Sequence, residues 1–184
     1  MSFEDPLYRV RGEAFDVNRL AHLPGDFRKS YQESIRQWSA SPFLKVYESG
    51  GTTEWTFADF AAEVGHLESW LLSNLKPSTV VISLAGNTSG HLILVTASLL
   101  AGFRVLPMNP DDTLERSTAK IQQLGEPCAL FVNGPNDSTG WNGFVVFDLN
   151  GLRRGRSEVN KSLVPERIDR GLLDPMIYVF TSGS

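Results

Sequence analysis

Residues 79–110 read TVVISLAGNTSGHLILVTASLLAGFRVLPMNP, and the order of elements in that stretch decides the fold. Thr79 to Leu84 is a short, nearly continuous apolar run, as in a strand covered on both faces. Ala85-Gly86-Asn87 reads as a turn. Ser89 to Ala101 is an apolar helix, and Gly102 stands where a left-handed residue would close it. Val105 to Met108 is a second short strand, stopped by Asn109-Pro110. Strand, helix and strand in this order make the unit of a parallel sheet.

Downstream, Thr113 can cap a polar helix from Leu114 to Leu124, closed by Gly125. Strands are expected at Cys128–Val132, Phe144–Leu149 and Met176–Phe180. The fold class is therefore α/β, a parallel sheet flanked by helices in the order βαβαβ. Asn150 to Asp174 is charged and irregular and reads as a surface excursion. Upstream, Thr56 and Asp59 form a variant capping box for a helix from Phe57 to about Leu75. Phe60, Val64, Leu67 and Leu71 make its apolar stripe. Phe43–Tyr47 and Thr53–Trp55, with Gly50-Gly51 between them, read as a β-hairpin. Phe27, Tyr31, Ile35 and Trp38 share one face of an earlier helix, with Asp26 as its N-cap. The first 25 residues lack periodicity. Two regions are thus expected: an extension with one helix at 1–42, and a larger unit at 43–184.

The chain has 184 residues, 41% of them apolar and 21% charged, with a net charge of −4. This composition is that of a globular chain, one domain or a large piece of one. The acidic balance argues against a nucleic-acid partner, which demands clustered Lys and Arg. No apolar run reaches the roughly 20 residues of a membrane span, and no signal peptide is visible. A lone cysteine, Cys128, makes neither an internal disulfide nor a zinc site, and a reduced, cytoplasmic setting is the natural expectation. It reads as a packed strand residue. His22, His66 and His91 lack acidic or thiol partners at metal spacing, and His91 is expected to be packed or end-exposed. Arg153, Arg154 and Arg156 read as a solvated basic loop, with a phosphate or partner contact as the minor alternative. Trp38, Trp55, Trp70 and Trp141 read as core or cover. No Ser-His-Asp or Cys-His set can be argued, so no catalytic residue and no metal ligand is assigned.

The remaining motif is Tyr178-Val179-Phe180-Thr181-Ser182-Gly183-Ser184. A strand followed by Thr, Ser and Gly can hold phosphate, because glycine permits close backbone approach while hydroxyls and N–H groups donate. The same letters also describe an ordinary turn. Neither G-x-G-x-x-G nor G-x-x-x-x-G-K-[ST] occurs, so dinucleotide and P-loop readings lack support.

Three separated segments together resemble one superfamily, the adenylate-forming enzymes: acyl- and aryl-CoA synthetases, peptide-synthetase adenylation domains and luciferases. Thr56-Phe57-Ala58-Asp59-Phe60 is similar to their "(L)TYxEL". Leu99 to Pro110 is similar to "LKAGAVxVPLNP", and Met108-Asn109-Pro110 resembles the acyl-CoA synthetases more than the "IDP" of peptide-synthetase domains. Tyr178 to Ser184 is similar to the opening of "YTSGSTGxPKG". The resemblance covers about Phe43 to Ser184. In its light the first two segments still read as structural, since helix-end chemistry explains them.

The resemblance implies the N-terminal portion of a carboxylate-adenylating ligase, with 43–184 as a partial AMP-binding domain, incomplete at its C-terminus. It implies ATP and Mg²⁺ as cofactors and Thr181, Ser182, Gly183 and Ser184 as cofactor-binding residues. It implies a small carboxylic acid as substrate, coenzyme A or a carrier-protein thiol as acceptor, and the remainder of the enzyme chain as partner. The alternatives are a non-catalytic binding or interaction module derived from that fold, and an unrelated doubly wound domain.

Overall fold

The computed structural model describes residues 27–48, 51–134, 137, 139–154, 166–168 and 176–178. The elements are α1 (Phe27–Trp38), β1 (Pro42–Glu48), β2 (Gly51–Thr56), α2 (Phe57–Asn74), β3 (Val80–Ser83), α3 (Ser89–Ala101), β4 (Arg104–Pro107), α4 (Leu114–Leu124), β5 (Cys128–Val132), β6 (Val145–Asp148) and α5 (Leu149–Arg154).

Four strands form one parallel sheet in the order β4-β3-β5-β6. The chain thus runs from β3 to a neighbour on one side and then returns to a neighbour on the other, which makes the β3–β5 boundary a topological switch point. Strands β3, β4 and β5 are largely buried on both faces, with successive residues serving opposite layers, while β6 at the edge is partly exposed. Val81 and Phe131 join a core with Leu67, Leu71, Ile93 and Phe103, beneath α2 and α3. Val80, Ile82 and Leu130 join a second core with Ile121 of α4. That is why the strands read as unbroken apolar runs.

Local sequence chemistry sets the helix ends. Thr56 Oγ1 accepts from Asp59 N at 3.1 Å while Asp59 Oδ2 accepts from Thr56 N at 2.9 Å, so the capping box is closed. The stripe expected for α2 is buried throughout: Phe60, Val64, Leu67 and Leu71 are each at most 2% exposed. Gly102 ends α3 at φ +86°, and a side chain there would meet the backbone of Ile168. Thr113 and Gly125 bound α4 as read from sequence.

The hairpin is antiparallel, pairing Val46 with Thr53, and Phe43 packs at 4.6 Å on both Phe57 and Phe60 of α2. Trp55, Trp70 and Trp141 pack against the cores as expected. Trp38 does not, being 49% exposed. Helix α1 touches the main core through Tyr31 instead, and none of its residues is fully buried. Asp26 lies outside the described residues.

Two expectations change downstream. The stretch from Asn150 is not irregular at its start: Leu149–Arg154 is a short helix whose first residue is wholly buried. Farther along, Ile168 N donates to Ala101 O at 3.1 Å, and Arg167 Nε bonds Glu68 Oε1 at 2.9 Å, so this part is docked on the core. The last strand is present at Ile177 as a parallel bridge to Val105, secured by Val105 N to Met176 O and Tyr178 N to Val105 O, both 2.8 Å. Ile177 is 47% exposed, an apolar strand residue only partly covered among the described residues. No described helix is long and apolar enough to cross a membrane.

Candidate functional site

In an open parallel sheet the strands stop together at one edge, and ligands bind where the loops beyond their carboxyl ends diverge. Here that edge is built from short side chains and backbone. After β3 the chain turns at Gly86, φ +58°, and a Cβ there would sit 3.1 Å from Pro110 Cγ, so the loops following β3 and β4 are in contact. Asn133, immediately after β5, donates from Nδ2 to Ala85 O at 2.8 Å. Thr88 Oγ1 lies 3.0 Å from Ala85 O and 3.3 Å from Asn133 Oδ1, and also caps α3 by accepting from His91 N at 3.2 Å. Asn150 Nδ2 donates to Asn133 O, bringing in the end of β6. Asn133 is therefore the knot of the switch point. It borders a cleft of about 460 Å³ with Leu84, Gly86, Thr88, Pro110 and Trp141.

Beneath the hairpin lies a second cleft of about 330 Å³, walled by Trp55, Glu63, Ser89 and Arg153. Arg153 was read from sequence as part of a solvated loop; it is instead a partly buried member of α5. Its Nε lies 3.3 Å from Glu63 Oε2, and its guanidinium sits 5.2 Å from the Trp55 ring centre. The Arg153 charge is thus already matched by a carboxylate and a ring face.

At the amino end of the sheet, Arg104 pairs with Glu126 and also donates to the Tyr178 hydroxyl at 3.0 Å. Tyr178 in turn donates to Glu126 Oε1 at 2.8 Å. Burial, then the bond to Glu126, pushes the phenol above its usual range. This knot fixes the residue three before Thr181. Cys128 is half-buried and unoxidised, and burial raises its thiol.

The candidate phosphate residues Thr181, Ser182, Gly183 and Ser184 lie outside the described residues. What the structure supplies is the direction of the strand that leads to them: at Ile177 the chain runs parallel to β4. Asn133 and Ser83 escaped sequence reasoning. The available signal was their position at the carboxyl ends of two neighbouring strands.

No protein-family model and no characterised protein matches at the level of sequence. Solved structures do match. The fatty acyl-adenylate ligase from L. pneumophila, in complex with acyl adenylate and pyrophosphate, is 14% identical with a TM-score of 0.70, over 85% of this chain and 28% of that one. The Klebsiella oxytoca NpsA N-terminal subdomain, in complex with 3-hydroxybenzoyl-AMSN, is 16% identical with a TM-score of 0.70, over 86% of this chain and 38% of that one. O-succinylbenzoate coenzyme A synthetase (MenE) from Bacillus subtilis, in complex with ATP and magnesium ion, is 16% identical with a TM-score of 0.60, over 70% and 34%.

The likeness at these identities is one of fold. The chain is an α/β sheet assembly of the kind found in adenylate-forming enzymes. It spans between 28% and 38% of the length of these three structures.

Proposed function

We propose that the chain is the N-terminal portion of an ATP-dependent carboxylate-adenylating enzyme of the acyl-CoA synthetase type. In this reading 43–184 is part of the AMP-binding domain, preceded by an extension at 1–42. The observation that carries the reading is the parallel entry of Ile177 beside β4. In this reading the chain leaving Tyr178 would continue in that sense toward the edge where Gly86, Pro110 and Asn133 meet, and Thr181, Ser182, Gly183 and Ser184 would hold phosphate there.

The reaction would proceed in two steps. A substrate carboxylate attacks the α-phosphate of ATP, forming an acyl adenylate and releasing pyrophosphate. A thiol, of coenzyme A or of a carrier protein, then takes the acyl group and AMP leaves. The demand on the protein is charge handling, because an anion approaches a polyanion. Mg²⁺ would neutralise phosphate charge. No three His, Cys, Asp or Glu side chains gather into a metal site among the described residues. By the family resemblance, the metal-binding acid, the adenine and acyl pockets and the catalytic lysine belong to later sequence.

Pyrophosphate release with MgATP and a panel of carboxylic acids tests the proposal. The full-length protein is expected to release pyrophosphate in an acid-dependent manner, and residues 1–184 alone are expected to stay at background. Turnover by residues 1–184 alone would overturn the assignment of the catalytic groups to later sequence. Absence of release from the full-length protein with every acid would overturn the ligase reading.

A further inference from the structure

Helix α5 grips both sides of the switch point. Its first residue, Leu149, is wholly buried in the main core and anchors it. Asp148 Oδ1 accepts from Asn150 N at 2.9 Å, which starts the turn. On one side, Asn150 Nδ2 donates to Asn133 O, the first carbonyl beyond β5. On the other, Arg153 Nη1 donates to Ser89 Oγ at 3.4 Å, and Ser89 is the buried first residue of α3. Gly90 follows. A Cβ there would lie 3.6 Å from Asn133 Oδ1 and 3.7 Å from Leu149 Cδ1, so the start of α3, the exit of β5 and α5 stand within a methyl group of one another.

Arg153 is held from outside this junction. Its Nε pairs with Glu63 Oε2 of α2 at 3.3 Å, and its guanidinium stacks 5.2 Å from the ring centre of Trp55 in the hairpin. The two charged side chains are 22% and 12% exposed, so salt and water screen the pair weakly. One planar fork thus serves a carboxylate, a hydroxyl and a ring face together. A lysine ammonium can hold the carboxylate but cannot reproduce that geometry.

The chain leaving β3 runs through Ala85 and Thr88 into Ser89, and the chain leaving β5 begins at Asn133. Ala85, Thr88 and Asn133 all border the 460 Å³ cleft. Arg153 borders the neighbouring 330 Å³ cleft, so it reaches the larger one only through Ser89 and α5.

We propose that Arg153 is a positioning residue: through α5 and Ser89 it fixes the spacing of the β3 and β5 exits, and with it the fit of the cleft to a nucleotide. The identity of that ligand rests on the ligase reading.

Steady-state pyrophosphate release by the full-length protein, with the carboxylic acid that gives the highest turnover, tests this. Arg153→Met is expected to raise KM for MgATP about tenfold and to keep kcat within about threefold of wild type, as for loss of one or two side-chain ties. Arg153→Lys keeps the charge beside Glu63 and loses the fork, so its KM is expected between those of wild type and Arg153→Met. Ser89→Ala is expected to raise KM about threefold alone and to add nothing to Arg153→Met, because the two residues share one tie. A role in stability alone would shrink the folded fraction, lowering kcat with KM unchanged. That result overturns the proposal, and so does full additivity of Ser89→Ala and Arg153→Met. Hydrogen–deuterium exchange without ligand reads the spacing apart from catalysis. Arg153→Met is expected to speed exchange at residues 84–91 and 133 and to leave 102–104 and 126 as in wild type. Unchanged exchange at 84–91 and 133 overturns the proposal and leaves the ligase reading standing. No release from the wild type with any acid overturns the ligase reading and the nucleotide fit claimed here, while the exchange experiment still decides whether Arg153 holds the two exits.

Discussion

The two ends of the parallel sheet are built on opposite plans. At the amino end, the charges of Arg104 and Glu126 are spent on each other and on Tyr178, and Ile168 closes over Gly102. At the carboxyl end, hydroxyl, amide and imidazole groups meet, Ser83 with His91 and Thr88 with Asn133 and Ala85, and two carboxylates, Asp137 and the Asp112 held by Lys120 and Arg116, line the cleft beside them. An end whose charges are paired with each other serves the fold, even though the buried Arg104 Nε has no partner among the described residues. An end whose amide, hydroxyl and carboxylate groups border a 460 Å³ cleft keeps capacity for a ligand. Changes at the first end should therefore cost stability and spare binding, and changes at the second should do the reverse.

The largest expected effect is at the amino end. Gly102→Val adds a side chain at a left-handed φ and drives it into Ile168, so it should cost about 2–4 kcal/mol in urea unfolding. A loss below about 1 kcal/mol would mean that Ile168 is not seated there. Glu126→Gln leaves the partly buried Arg104 guanidinium without its counter-charge and should cost about 1–2 kcal/mol, with pyrophosphate affinity unchanged. If affinity fell with stability, the two ends would not be separable. Asn133→Ala should cost about 1 kcal/mol yet weaken pyrophosphate binding more than Glu126→Gln does, because it unties the β3 and β5 loops at the ligand edge.

Acidification should give the smallest effect. Burial holds His91 below its ordinary value of 6.5, so the unfolded chain takes up a proton that the folded chain resists. The contribution to stability is whole above pH 6.5 and declines as pH falls toward the folded value. The drop in urea midpoint between pH 7.5 and 5.5 should be smaller in His91→Gln than in wild type. Equal drops would show that the ring titrates freely.

What was legible in the sequence was local. The Thr56–Asp59 box, the Phe60–Leu71 stripe and Gly102 at the end of α3 each follow from residues within a few positions of one another, and the parallel class followed from apolar runs interleaved with helices. The contacts that shape the site are not local. Asn133 reaches Ala85 across 48 residues, Arg153 reaches Glu63 across 90, and Arg104 reaches Tyr178 across 74. Nothing in the spacing of Arg153 distinguishes a solvated arginine from one stacked on Trp55. Strand order, which the sequence pattern leaves open, brings Ser83, Pro107 and Phe131 into one register and creates the edge. Thr181 to Ser184 were legible only as a motif, and the phosphate role proposed for them leans on the direction of the chain at Ile177.

Hydrogen–deuterium exchange on the full-length protein, with and without MgATP, compares the two ends in one measurement. The account predicts that nucleotide slows exchange at residues 84–91, 133 and 181–184, and leaves residues 102–104 and 126 unchanged. Protection confined to the Arg104–Glu126 end, or none at either end while nucleotide is bound, would contradict it.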